Sequence, residues 1–395
     1  MKRQSKSNAS VLRLKLAQSK ARELELRKSN EGMIRILNNI REVVFQTEAN
    51  GVCVLLNDAW TALTGYTATS TIGSSLLPYV FREDRRLLMQ ALRLLIRGQK
   101  QRQSIEIRMI TASSQIRWIE ADLFILSSAQ HSFEGIAGTL RDKTEQKVAE
   151  TRLTEELERA KRVQHSVLSG PISNREIEIH AIYLPSEQLS GDMYCWYPIS
   201  RYKYGIILLD VVGHGVSSAL VSMSIRALLR GLIVRVVDPV KVMKELNRHI
   251  HRLFKEEEQT AVSYVTGIYA VFDTQSQEVE YVNAGHPPAY LYYQGCVQAL
   301  SEGSIPLGIV ADLPISKGKR QYSEQSRFIM YTDGLLEMLS PCLQTGREQI
   351  QTLLYDTESL ENTAFIKRFF QPASHHVRQD DDVCLISVNL PKSHR

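Results

Sequence analysis

Cysteine is scarce and scattered in this chain of 395 residues. Cys53, Cys195, Cys296, Cys342 and Cys384 form no CxxC pair, which argues against a disulfide framework and against a zinc site. An odd count without a secretory leader fits a reducing cytoplasm. Long apolar runs are missing too. The most apolar stretch, Leu220 to Val237, is interrupted by Arg226, Arg230 and Arg235 and is too charged to span a bilayer. No histidine occurs between Met1 and Gln130, so that part of the chain lacks the usual haem ligand. There is no G-x-S-x-G nucleophile elbow and no GxxxxGK[ST] phosphate loop. Ser/His/Asp hydrolysis and a nucleotide-binding kinase are disfavoured accordingly. The basic residues near the start are not interleaved with aromatics, so nucleic-acid binding has no support.

What is present is ordinary for globular protein: 43% hydrophobic residues, 23% charged and a formal net charge of +5. The length allows two or three domains. Residues 1–28 hold nine Lys or Arg against Glu23 and Glu25. Residues 1–30 therefore read as a basic helical extension, solvated rather than bound to an acidic lipid surface. Its leucines (Leu12, Leu14, Leu16, Leu24, Leu26) are too irregular to define a long coiled coil.

Residues 31–142 change texture. Val43–Phe45 and Val52–Leu56 read as strands around Asn50-Gly51, a hairpin signal. A short helix should start after Asn57-Asp58, either of which can cap it, and stop at Gly65. Helix is expected again over Glu83–Ile96, then strands over Ser104–Ile110, Ile116–Leu126 and Ser132–Arg141. This order predicts one α+β domain. With "NDAWTALTGY" at Asn57–Tyr66 and "GIAGTLRDKTEQKVAE" at Gly135–Glu150, it resembles a PAS domain. The resemblance implies a sensor or dimerisation module. Haem lacks a histidine, and Cys53 lies on a strand where flavin-binding relatives need a helical cysteine. Haem and flavin are thus disfavoured, and the expectation is an empty or small-ligand pocket, or partner binding through the sheet.

Residues 143–170 read as an amphipathic linker helix. Val148, Leu153, Leu157, Ala160, Gln164, Val167 and Leu168 fall near one stripe, and Ser169-Gly170-Pro171 ends it. It suits a two-stranded coiled coil, docking on its own domain, or a plain spacer. Without a Gly/Ser break it is stiff enough to transmit a rotation or register shift.

Residues 171–395 alternate strand and helix through short loops, which predicts mainly antiparallel sheets. Four aspartates are placed alike here. Asp192 lies in Ser190-Gly191-Asp192-Met193-Tyr194, and Asp210 closes the run Gly205–Leu209 before Val211-Val212-Gly213-His214-Gly215. Asp333 follows Phe328–Tyr331, and Asp381-Asp382 precedes Val383–Ile386. Singly, each is a common turn signal. Together they suggest carboxylates gathered at one end of a sheet, where mutual repulsion is costly unless cations fill the site. Carboxylate and carbonyl oxygens suit Mg²⁺ or Mn²⁺ rather than zinc. His214 and His286 are better read as structural hydrogen-bonding residues than as general acids.

The ordered motifs resemble the metal-dependent protein phosphatase (PPM) superfamily, in its sporulation-protein-E-like and RsbU-like serine phosphatase branch. They are "SGDMY" at Ser190, "DVVGHGVSSAL" at Asp210, "YVNAGHPPAYLY" at Tyr281, "IPLGI" at Ile305, "YTDGLLE" at Tyr331 and "QDDDVCLI" at Gln379, preceded by an "A..VQ..VL" run at Ala160. The resemblance implies an α–β–β–α sandwich with a site for two Mn²⁺ or Mg²⁺ ions. Asp210 would bridge both ions, Asp192 and the Val211 carbonyl would complete one cluster, and Asp333 and Asp381 would hold the second. Asp380-Asp381-Asp382 leaves the register open by one residue, with Asp381 favoured. Such ions clamp a phosphoryl oxygen and lower the pKa of a water between them.

The resulting expectation is a cytoplasmic protein-serine/threonine phosphatase regulated by its PAS domain. By resemblance, its substrate would be a phosphorylated STAS-type anti-sigma-factor antagonist, with homodimerisation through PAS and linker. The chain ends soon after the last motif, so the opposing kinase is expected on a separate chain. The alternative is a non-enzymatic PAS-dimer adaptor that sequesters a partner.

Overall fold

Apolar and polar residues largely alternate along 104–110 and 116–123, the pattern of half-buried strands, and both segments lie in a sheet. The computed structural model describes residues 22, 24–25, 27–127, 133–213, 215–255, 264–323, 325–356, 361–370, 379 and 381–390. The chain divides into two units, Met1–Thr154 and Glu155–Arg395. Most of the expected basic extension, His214 and Asp380 lie outside the described residues.

In the first unit a helix over 27–39 (α1) leads to β1 (Val43–Thr47) and β2 (Cys53–Leu56), then α2 (Ala59–Thr64), α3 (Ala68–Thr71) and α4 (Arg85–Ile96). Strands β3 (Arg102–Ile110), β4 (Ile116–Ser127) and β5 (Phe133–Asp142) follow. All pair antiparallel in the order β2-β1-β5-β4-β3. One face packs Ile105, Ile107, Ile119 and Leu123 against Ala91 and Leu95 of α4. The expected helix cap is not formed. Asp58 makes no capping bond to α2. Asn57 accepts from the Val44 amide (3.0 Å) and donates to the Leu37 and Glu42 carbonyls (both 2.9 Å). The open backbone groups where α1 meets β1 take this side chain instead.

Helix α5 (Thr144–Val167) starts on the first unit's sheet. Thr144 Oγ1 accepts from the Trp118 amide (2.9 Å), and Lys147 pairs with Glu106 (2.7 Å). The expected apolar stripe is only partly used, since Val148 and Leu153 are 41% and 59% exposed whereas Gln164 is buried.

The second unit contains β6 (Ile172–Ser173), β7 (Glu178–Leu184), β8 (Met193–Pro198), β9 (Lys203–Val211), α6 (Val216–Val236) and α7 (Pro239–Lys255). Next come β10 (Val265–Asp273), β11 (Glu278–Ala284), β12 (Ala289–Tyr293), β13 (Cys296–Leu300), β14 (Gly303–Ser304), β15 (Gly318–Gln321) and β16 (Ser326–Tyr331). Helices α8 (Asp333–Leu339), α9 (Leu343–Asp356) and α10 (Asn362–Arg368) precede β17 (Val383–Leu390). One sheet runs β14-β11-β10-β9-β8 with β15 beside β11, the other β13-β12-β16-β17-β7-β6. Every pairing is antiparallel except β11 with β14.

Strand parity builds three cores. Ile206, Leu208, Ile268, Phe328 and Ile386 meet between the sheets. Ile207 and Leu209 point outward onto Ile225 and Leu229 of α6 and Leu246 of α7. Ile329 and Leu385 point outward onto Leu335, Ile350 and Phe365 of α8, α9 and α10. The result is an α–β–β–α sandwich. Burying each large apolar side chain contributes about 1.5–3 kcal/mol, so the three cores are what hold the acidic end together.

Candidate metal centre

The alternation that fills the core between the sheets also aims the acids. Tyr194, Ile206, Leu208, Ile268, Met330 and Cys384 all enter that core. Two residues beyond an inward residue in each strand stand Asp192, Asp210, Thr266, Thr332 and Asp382, which share the inner faces. Antiparallel pairing brings these strand ends together. Thr266 pairs with Asp210, and Asp192 stands one residue beyond the Met193–Leu209 pair. Asp333 opens α8, whose N-terminal residues follow β16 directly.

At this end lies a cavity of about 280 Å³ lined by Asp210, Asp333, Asp381, Glu337, Tyr264, Thr266, Val212 and Gly213. No basic side chain lines it among the described residues. The Val211 carbonyl oxygen sits against Gly191, 2.8 Å from where a Cβ would project, so that contact admits only glycine. Gly334 is equally constrained, because a Cβ there would meet the Asp382 carbonyl at 2.1 Å.

The two neighbouring aspartates have different tasks. Asp381 faces the cavity. Asp382 is buried and accepts from the Ser186 amide (2.7 Å), the Ser186 hydroxyl (2.9 Å) and the Gly191 amide (3.0 Å). It thereby fixes the loop that carries Asp192. Gln164 of α5 holds the same loop, donating to the Ser190 carbonyl (2.7 Å) and accepting from the Ser190 amide (3.2 Å).

Electrostatic cost is concentrated here. Asp192 is buried, and its Oδ2 has no hydrogen-bond partner. Burial, then the charge of Asp210, raises its carboxyl well above the ordinary range, against a hydrogen bond from Thr332. Burial, then the charges of Asp333, Asp381 and Asp382, pushes Asp210 up to about 7. His286 is buried and pushed down to about 3 by desolvation, so it is neutral. Its Nδ1 lies 2.9 Å from Thr266 Oγ1, which reaches Asp210 at 3.5 Å. Asn283 clamps the His286 backbone through bonds of 2.8 and 3.0 Å.

Among the described residues no three such side chains are drawn tightly enough together to hold an ion as they stand. The donor set still fits hard divalent ions: three aspartates and Glu337 open onto one cavity, and Asp192 has an orphaned buried oxygen. The sequence reading missed Thr266, Thr332 and Glu337. Counting by twos from the apolar runs of β10 and β16 would have found the threonines. Glu337 stands one helical turn past Asp333.

The chain is similar to known proteins in sequence and fold. Residues 200–391 match the Stage II sporulation protein E (SpoIIE) family, and residues 32–143 match the PAS fold. The phosphoserine phosphatase RsbP of Bacillus subtilis (strain 168) is 39% identical over 238 residues, 60% of this chain and 58% of that protein. The phosphoserine phosphatase RsbU of the same organism is 27% identical over 202 residues, 50% of this chain and 58% of that protein. The chain thus spans less than two thirds of the length of either curated relative. The SiaA-PP2C domain of Pseudomonas aeruginosa superposes with a TM-score of 0.51 at 19% identity, over 61% of this chain and 98% of that one, a likeness of fold.

Proposed function

We propose that this chain, which joins a SpoIIE-type phosphatase domain to an N-terminal PAS domain, is a metal-dependent protein-serine/threonine phosphatase. The observation that carries the reading is the set of carboxylates sharing one cavity that no basic side chain lines among the described residues. In this reading Asp210, Asp192, the Val211 carbonyl, Asp333 and Asp381 would be the groups that hold the ions. Mn²⁺ or Mg²⁺ bound there supplies a nucleophilic water and offsets the charge of a phosphoryl group. Thr266 orients Asp210 and is itself held by His286. Asp382 holds the Asp192 loop in place, and Glu337 adds negative charge on the wall.

The substrate in this proposal is a phosphorylated STAS-type anti-sigma-factor antagonist in a partner-switching pathway. The resemblance to RsbP and RsbU supports it. A cytoplasmic location belongs to the same reading, supported by five cysteines that are all free. Among the described residues no helix is long and apolar enough to cross a membrane. Regulation would run through α5, which is continuous between its Thr144 and Lys147 contacts at one end and its Gln164 contacts at the other. Exposed Val148, Leu153 and Val163 on that helix support pairing with a second copy.

The test is release of phosphate from a phosphoserine protein of this class. Manganese should be required, and Asp210→Asn or Asp333→Asn should abolish turnover while leaving the fold intact. Full activity in either variant would refute the assignment.

A further inference from the structure

The first unit contains a cavity of about 360 Å³ between α4 and the sheet, with no part in hydrolysis. Its interior is apolar and mainly aliphatic, with Val80, Leu88, Leu92, Ile107, Ala121 and Leu123 on the wall beside the rings of Phe45 and Phe133. Most polar side chains that reach the wall are already engaged. Thr47 Oγ1 accepts from the Ile136 amide (3.2 Å) and donates to its carbonyl (3.3 Å). Asn50 accepts from the Val52 amide (2.8 Å) and donates to Glu48 (3.2 Å). Ser75 accepts from the Leu77 amide (3.2 Å). Arg93, in the last turn of α4, is the exception: among the described residues its guanidinium makes no ion pair or hydrogen bond.

That pattern selects a ligand class. A flat cofactor with many polar edges would bury those edges against carbon without partners, at a cost of about 1–3 kcal/mol each. An apolar body with a single anionic end leaves nothing unsatisfied. We propose that this cavity binds a single-chain aliphatic carboxylate, its chain among the aliphatic wall residues and its head at Arg93. At about 30 Å³ per chain group, the liquid share of one water molecule, the cavity takes a chain of about ten to twelve carbons. Arg93 is exposed, so its pairing is screened and sets selectivity rather than affinity. Affinity comes from the chain, each methylene tightening binding about three- to fourfold.

Calorimetric titration of the full chain with decanoate, octanoate and 1-decanol tests this without reference to phosphatase activity. Decanoate should bind at one site per chain, octanoate about tenfold more weakly, and decanol up to about fivefold more weakly than decanoate. Arg93→Gln should bring decanoate down to the affinity of decanol and leave decanol unchanged. Ala121→Leu or Leu123→Phe, each checked for folding by a thermal melt, should fill the cavity and remove binding of both. Phosphatidylglycerol vesicles, whose lipid carries two chains, should not compete. The proposal is overturned if decanoate shows no saturable binding, if binding survives a folded cavity-filling variant, or if haem or flavin mononucleotide binds in its place. Equal effects of Arg93→Gln on acid and alcohol would remove Arg93 as the head-group partner.

Discussion

Without metal, the second unit should lose stability as pH rises through neutrality. An unfolded aspartate ionises near 3.9, whereas Asp210 in the fold is pushed up to about 7. The folded chain therefore holds this proton more tightly than the unfolded chain does. The stability it contributes is complete below the unfolded value and is lost as pH climbs through about 7. At 1.36 kcal/mol per pKa unit, the loss by pH 8 approaches about 4 kcal/mol. Asp192 acts in the same direction, and the two acids should release their protons as a pair. His286 and His249 act oppositely, since burial lowers both and below about pH 6.5 the unfolded chain takes up protons there that the folded chain does not. Comparison with Asp210→Asn cancels those two. The assay is hydrogen exchange of the β9 and β17 amides at pH 5.5 and 8 in a chelator. Native protein should be markedly less protected at pH 8, and Asp210→Asn should flatten much of that difference. Manganese at about a hundred times its Kd should restore about 2.7 kcal/mol to the native chain at pH 8, and nothing to the variant. An identical pH dependence in both proteins would refute the electrostatic account of this site.

Further substitutions separate chemistry from scaffolding. Asp381→Asn should lower turnover roughly a hundredfold or more with little change in melting temperature. Asp382→Asn should instead destabilise the unit by about 2–3 kcal/mol in urea unfolding, because an amide group would face donors from Ser186 and Gly191. Equal stability of the two variants would reverse the division of labour between these residues. Thr266→Val should cut kcat by up to about tenfold, the worth of one positioning hydrogen bond, and weaken manganese binding measured by calorimetry. Gln164→Ala should strand the Ser190 amide and carbonyl, lowering turnover and uncoupling it from changes in the first unit. Unchanged kinetics there would leave α5 as a spacer.

The sequence made strand ends legible because an apolar run with an acid at one end is a local pattern. Asp192, Asp210, Asp333 and Asp381 could be singled out that way, and alternation sends Asp192 and Asp210 to the inner faces. The difference between Asp381 and Asp382 is not local. It depends on donors at Ser186 and Gly191, about 190 residues earlier, brought near by the β7–β17 pairing. Asn57 shows the same limit. A local rule made it a helix cap, but α1 and β1 offered carbonyl and amide partners that no local pattern reveals. The linker stripe was overread for a related reason: periodicity identifies an amphipathic helix but not what covers it, and Val148 and Leu153 are left in the open.

These cases point to one division in the molecule. Where a carboxylate is satisfied by protein donors, as Asp382 is, it acts as scaffold. Where the fold gathers carboxylates around a cavity that no basic side chain lines among the described residues, as at Asp210, the protein leaves a charge imbalance for something else to neutralise. Burial by the three cores is what sustains that imbalance, since a penalty of about 4 kcal/mol at one residue, from desolvation first and neighbouring charge second, would unfold a marginal unit held by less. The same packing that makes the acids costly also fixes their separation. An incoming divalent ion therefore meets a site whose ordering cost is borne in large part by folding.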